Sequence, residues 1–196
     1  MCGEYDNGNG SLMRIMPICL YMYEKQKTEG ISDEKVLKAV HEVSALTHGH
    51  LRSKIACGLY YYVVRSILDR EGNLSEKVQA GLSEGFAYYE REPESAAELV
   101  HYSRIRDVEM LKAIQREHIK GSGYVVPTLE AALWSLVRSE SFAEATLAAV
   151  NIGDDTDTVA AIAGGLAGLY YGYKGIPAEW LEAIARREWI EEMCKR

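Results

Sequence analysis

The sequence predicts an all-α domain, on three observations. Apolar residues recur at helical spacing along most of the chain. Ser32, Ser75 and Ser141 stand where helix N-caps are expected, each ahead of such a run. Strand-like alternation is nearly absent.

Taken in order, Leu12 to Tyr23 is apolar and contains Pro17, which kinks or splits that helix. Ser32 caps a helix through Ala45, where Val36, Leu37, Val40 and Val43 form an apolar stripe. Leu51 to Leu68, rich in Ala, Leu, Tyr and Val, reads as a largely buried helix, although Tyr60 to Val64 alone passes for a strand. Glu71-Gly72-Asn73 ends it, and Ser75 caps the next helix, to about Tyr89. Pro93-Glu94-Ser95 starts a short helix near His101. Lys120 to Gly123 is a sharply bent loop, and Pro127 suits the first turn of a helix running to about Arg138. Ser141 caps Phe142 to Val150.

After the acidic loop Gly153 to Asp155, a helix of small residues begins near Thr156, including Ala160, Ala161, Ala163, Gly164, Gly165, Ala167 and Gly168. Each glycine inside a helix costs about 1 kcal/mol relative to alanine. Several together imply close backbone contact, so this helix is expected to be central. Gly175-Ile176-Pro177 opens a last amphipathic helix around Trp180.

The bulk properties fit one domain over residues 1–196 with a substantial core. The hydrophobic fraction is 47% and the charged fraction 26%, as in ordinary globular proteins. No stretch approaches the roughly 18 apolar residues of a membrane span. Met1 to Gly10 carries Glu4 and Asp6 and does not read as a signal peptide. Cys2, Cys19, Cys57 and Cys194 are scattered, which suits a reducing cytoplasm better than a disulfide framework or a zinc site. A net charge of −7 disfavours nucleic acid and anionic lipid as partners.

Four segments carry chemistry. In Asn151-Ile152-Gly153-Asp154-Asp155-Thr156-Asp157-Thr158, three aspartates and two threonines gather at a helix start. Their hard oxygens suit Mg²⁺ or Mn²⁺. The same residue types also cap helices and favour the helix dipole, by about 0.5–1 kcal/mol each. One cap needs one or two of them, and three acids repel one another. In Asp6-Asn7-Gly8-Asn9-Gly10-Ser11, two glycines let a loop expose backbone N–H groups ahead of a helix, which suits phosphate; Asn-Gly is equally a plain turn. Leu46-Thr47-His48-Gly49-His50 places two histidines on different helical faces, against a two-histidine metal site. His50 reads as structural, and His41, His101 and His118 as surface residues. Gly121-Ser122-Gly123-Tyr124-Val125-Val126 presents a tyrosine either to a base or ribose or to the core.

Together these segments resemble the ADP-ribosylglycohydrolase family, including its dinitrogenase reductase-activating type. Gly153 to Thr158 and the small-residue helix Val159 to Tyr171 look like the family's C-terminal signature. Asn7 to Arg14 is similar to its second signature, Thr47-His48 to a Thr-His motif and Ser122 to Val126 to a Ser-Gly-Tyr-Val-Val stretch. The resemblance implies a compact orthogonal multi-helix bundle. It implies a pair of Mg²⁺ or Mn²⁺ ions ligated by Asp155, Asp157 and Thr158, with Asp154 a spectator. It further implies ADP-ribose contacts from Asn7, Gly8, Asn9, Gly10, Ser11, His48, Gly123 and Tyr124; Arg14 is expected to form a structural ion pair. The implied activity is metal-assisted hydrolysis of the bond between ADP-ribose and a modified side chain or small molecule.

The family's upstream Thr-Asp-Asp-Thr segment, which supplies further metal ligands, is not found in this sequence. The expectation is therefore a bundle without the family's N-terminal helices, with impaired turnover. An N-terminal complementing fragment or a homodimer is the expected partner. An inactive ADP-ribose-binding module, or a scaffold, is the alternative.

Overall fold

A computed structural model describes Gly3 and residues 6–195. Met1, Cys2, Glu4, Tyr5 and Arg196 lie outside the described residues, among them Cys2 and Glu4 of the sequence reading. The described residues form helices and no strand; one isolated antiparallel bridge joins Gly8 to Tyr124. The helices are α1 (Met16–Glu29), α2 (Asp33–Ala45), α3 (Leu51–Asp69), α4 (Leu74–Tyr89), α5 (Pro93–Glu98), α6 (Val108–Ala113), α7 (Val125–Val137), α8 (Phe142–Val150), α9 (Thr156–Tyr171), α10 (Ala178–Ala183) and α11 (Arg187–Cys194).

Local chemistry explains most boundaries. Pro17 splits the first apolar run into a 3-10 turn, Leu12–Arg14, and α1, where it sits in the first turn and loses no helical hydrogen bond. Ser141 caps α8 through the Glu144 amide at 3.1 Å, as its position predicts. The cap of α4 is Asn73 and not Ser75: the Asn73 side chain accepts from the Glu76 amide at 3.0 Å. Glu76 returns a bond from its carboxylate to the Asn73 amide at 2.9 Å, a reciprocal pair that Ser75 cannot form. Ser32 precedes α2 without a side-chain cap bond. The expected last helix is two, α10 and α11, broken around Arg186, which takes a left-handed φ of 58°. Helix α6 lies where no helix was expected, started by Asp107 accepting from the Met110 amide at 2.9 Å.

The core is built on α3, which packs against α1, α2, α4, α7 and α9. Tyr60, Tyr61 and Tyr62 are buried there, so the strand-like stretch is helical and interior. Helices α7 and α9 pack on each other and on α8. Helix α9 is thus near the centre, but Ala161 is exposed and Gly164 half-buried, so its small residues make one packed face and not a fully enclosed stem. Arg65 of α3 ties the bundle together: it reaches Asp33 at 2.8 Å and Glu84 at 2.5 Å, with its guanidinium over the Tyr62 ring at 4.6 Å. Among the described residues no helix is long and apolar enough to cross a membrane. Cys19 and Cys57 are free and buried, and Cys194 is free and exposed.

His41 is half-buried, not the surface residue expected: its Nε2 lies 2.7 Å from the buried Tyr89 hydroxyl and its ring stacks on Tyr89. Burial, helped by the charge of Lys54, pushes its pKa down to about 4. A group whose folded pKa lies below its unfolded value binds more protons when unfolded, so stability falls as pH drops from about 6.5 to about 4. The loss expected from His41 is about 2–3 kcal/mol. Melting curves across that window should be flatter for His41→Gln than for the parent; equal slopes would remove His41 from the acid response.

Candidate functional site

The Asn-Gly loop and the Ser-Gly-Tyr loop are joined backbone to backbone. The Asn9 amide donates to the Gly123 carbonyl at 2.9 Å, and the Val125 amide donates to the Asn7 carbonyl at 2.9 Å. A third segment joins through the Asp155 amide, which donates to the Gly121 carbonyl at 2.8 Å. Gly121 is required there, because a Cβ would stand 2.3 Å from the Gly153 carbonyl oxygen. Three segments far apart in sequence thus meet at the N-terminus of α9.

Side chains lock the same junction. Asn9 Nδ2 donates to Asp155 Oδ2 at 2.6 Å and lies 3.1 Å from Thr128 Oγ1. The Thr128 hydroxyl in turn faces the Ser122 and Tyr124 carbonyls at 2.8 and 2.9 Å, so it accepts from Asn9 while donating to the Ser-Gly-Tyr loop. Asp155 is the N-cap residue of α9, but its side chain makes no cap bond. Its carboxylate accepts from Asn9 across the site and also interacts with Thr158 and Asp157 at the start of the helix. The bond from Asn9 holds the Asp155 carboxyl below the usual carboxylate range, so it is ionised at neutral pH.

The acidic loop owes its shape to two successive left-handed residues, Gly153 at φ 93° and Asp154 at φ 59°. Aspartate tolerates that region better than most residues. Arg116 pins the loop from outside, donating to the Asn151 carbonyl at 2.8 Å and to the Ile152 carbonyl. Thr158 is buried in the first turn of α9, with its hydroxyl 4.0 Å from Met13 Sδ, and Asp157 is exposed beside it.

His48 covers the glycine loop. A Cβ on Gly8 would lie 3.1 Å from His48 Nε2, and one on Gly10 would lie 3.0 Å from Cε1, so the ring sits tightly against both glycines. Arg14 donates to Thr47 Oγ1 at 2.6 Å, and that oxygen lies 2.7 Å from His48 Nδ1. With Arg14 donating to its oxygen, Thr47 holds a hydroxyl proton that Nδ1 can accept, the arrangement that places the imidazole proton on Nε2, toward the loop. Desolvation and the Arg14 charge lower the His48 pKa, which keeps the ring neutral. The partners shown for Arg14 are Thr47 and the Val43 carbonyl at 3.4 Å, in place of the acid expected.

The side chains of Asn7 and Ser11 point inward. Asn7 Oδ1 accepts from Ser53 at 2.8 Å, and Ser11 Oγ faces the Cys57 thiol at 3.7 Å. Of the expected contact residues, Gly8, Asn9, Gly10, His48, Gly123 and Tyr124 are the ones grouped at the loop junction. Thr128, Arg116, Arg52 and Ser53 hold the site but carry no local signal in the sequence. Arg116, Ser53 and Arg52 act on segments 35, 46 and 72 residues away, and Thr128 reaches Asn9 across 119.

For a metal, Asp155, Asp157 and Thr158 offer hard oxygens of the type Mg²⁺ and Mn²⁺ take. Among the described residues, however, no group of three or more His, Cys, Asp or Glu side chains is arranged to hold an ion. The donor chemistry fits, and the donor number is short of a closed shell.

The sequence profile of the ADP-ribosylglycohydrolase family matches residues 2–196. The chain is 32% identical to an ADP-ribosylarginine hydrolase, Tri1, of Pseudomonas putida (strain GB-1), over 98% of this chain and 47% of that protein. It is 29% identical to the ADP-ribosyl-[dinitrogen reductase] glycohydrolase of Rhodospirillum rubrum, over 92% of this chain and 52% of that protein. A solved structure described as an ADP-ribosylglycohydrolase-related protein complex superposes with a TM-score of 0.71 at 31% identity, covering 97% of this chain and 59% of that one. The chain spans about half the length of these curated relatives. With the profile matched along nearly its whole length, and the motif loops gathered at one helix end, this chain belongs to the ADP-ribosylglycohydrolase family.

Proposed function

We propose that the junction at the head of α9 grips ADP-ribose and contributes to hydrolysis of its bond to an arginine side chain. The observation that carries this reading is the Asn9–Asp155 contact at 2.6 Å, which joins two family motifs through an ionised carboxylate. The arginine linkage is taken from the similarity to ADP-ribosylarginine hydrolase. It also suits the acidic rim of Asp154, Asp155 and Asp157, which attracts a guanidinium.

Asp155, Asp157 and Thr158 would hold Mg²⁺ or Mn²⁺, with water and ribose hydroxyls in the remaining positions. When bound, the ion would polarise oxygen and orient the ribose. The chain's own residues do the rest. Gly8 and Gly10 let the His48 ring lie close against the loop backbone. Neutral His48 presents an N–H as donor toward that loop. Tyr124 offers a ring to the base or ribose. The family's remaining metal ligands would come from a segment beyond these residues or from a second copy of the chain.

The alternative reading is ADP-ribose binding without cleavage. Calorimetric titration with ADP-ribose, with and without Mg²⁺, tests the site; Mg²⁺-dependent binding is the expected result. No heat in either condition would leave the family scaffold without its ligand. Release of ADP-ribose from an ADP-ribosylated arginine peptide separates hydrolase from binding module, since the latter gives binding and no release.

A further inference from the structure

We propose that Arg52 is a positioning residue for this site, fixing Tyr124 by its hydroxyl so that the tyrosine offers its ring face to the ligand. The proposal rests on the reading of the junction as an ADP-ribose site. Arg52 is 6% exposed and lies in the first turn of α3. Its Nε donates to Glu98 Oε2 at 2.7 Å and its Nη2 to Glu98 Oε1 at 3.3 Å, a two-pronged pair that fixes the guanidinium plane. From that fixed fork, Nη1 donates to the Tyr124 hydroxyl oxygen at 2.5 Å. Nη2 also lies 2.7 Å from His101 Nε2, which must accept because a guanidinium has no acceptor.

A buried arginine is costly unless paired, and here its pairing is complete enough to act as a rigid post. The post itself is held: Tyr102 donates to the Arg52 carbonyl at 2.5 Å, and the Arg52 amide donates to His50 Nδ1 at 3.1 Å.

The neighbouring residue does the matching task on the other loop. Ser53 donates to Asn7 Oδ1 at 2.8 Å. Two consecutive residues of α3 therefore grip both sides of the Gly8–Tyr124 bridge, one through Tyr124 and one through Asn7. The bond from Arg52 fixes the far end of the half-buried Tyr124 side chain and with it the orientation of the ring. A π-face suits an adenine or a ribose edge.

The test compares Tyr124→Phe, Arg52→Lys and the double variant with the parent in ADP-ribose titrations with Mg²⁺. Backbone hydrogen exchange of residues 7–10 and 121–125 is followed without ligand. Tyr124→Phe leaves the Arg52–Glu98 pair intact, and Arg52→Lys keeps the charge but loses the fork. Each single variant is expected to weaken binding about tenfold, with faster exchange confined to the two loops. The double variant should bind no more weakly than either single one, because both break the same bond.

Multiplying effects of about a hundredfold, or unchanged binding in Tyr124→Phe, would overturn the proposal. Should Arg52→Lys fail to melt cooperatively, Tyr124→Phe decides alone. If the parent binds no ADP-ribose, the functional reading fails, and the exchange arm still decides positioning: faster loop exchange in Tyr124→Phe upholds it, unchanged exchange ends it.

Discussion

Asp155→Ala is expected to reduce Mg²⁺-dependent ADP-ribose binding, and any turnover, by at least about a hundredfold while leaving the fold intact. The carboxylate is half-buried and bonded to Asn9 at 2.6 Å, so removing it costs about 1 kcal/mol and lowers the melting temperature by roughly 2–4 °C. Helix α9 loses no cap bond, since Asp155 makes none with its side chain. Asp155→Asn separates the two roles. Its amide oxygen still accepts from Asn9, so the melt should match the parent, but the hard negative ligand is gone. Full Mg²⁺ dependence in Asp155→Asn would remove this residue from metal binding and leave it a loop clamp.

The second large effect concerns the scaffold. Helices α3 and α4 approach closely because Gly58, Gly81 and Gly85 face the partner helix. A Cβ on Gly81 would stand 2.6 Å from the Tyr62 carbonyl oxygen and 2.8 Å from Val63 Cα, and backbone cannot swing aside as a side chain can. Gly81→Ala should therefore cost about 2–3 kcal/mol, even after the roughly 1 kcal/mol that alanine contributes to helix propensity. The melting temperature should fall by about 5–10 °C. Gly164→Ala makes the contrast: its nearest contact, Thr146 Oγ1, is at an ordinary 3.7 Å. There the propensity term stands nearly alone, and stability should rise by up to about 1 kcal/mol. Equal shifts in the two variants would show that helix propensity, and not interhelical distance, governs these glycines.

Much of the fold was legible because its signals are local. Ser141, Pro17 and the start of α9 at Thr156 stand where caps and ring sterics put them. The errors were also local in cause. Asn73 outcompeted Ser75 because it has a partner three residues on, Glu76, and the break between α10 and α11 lies at Arg186, a residue type that does not announce a left-handed turn. His41 looked like a surface histidine because nothing near it in sequence shows that Tyr89 will stack on it.

The sequence by itself determined the helical class, most element boundaries, the family motifs and the oxygen-rich chemistry of Asp155, Asp157 and Thr158. Only the tertiary structure decided which of those residues meet. Asn9 and Asp155 are 146 positions apart, and Arg52 and Tyr124 are 72 apart. Periodicity and capping are set by neighbours within a turn of helix, so a sequence displays them directly. A bond across the fold exists only after α3, α7 and α9 have packed and closed the distance. The same packing turned Asn7 and Ser11 inward and gave Arg52 a buried post from which to hold Tyr124.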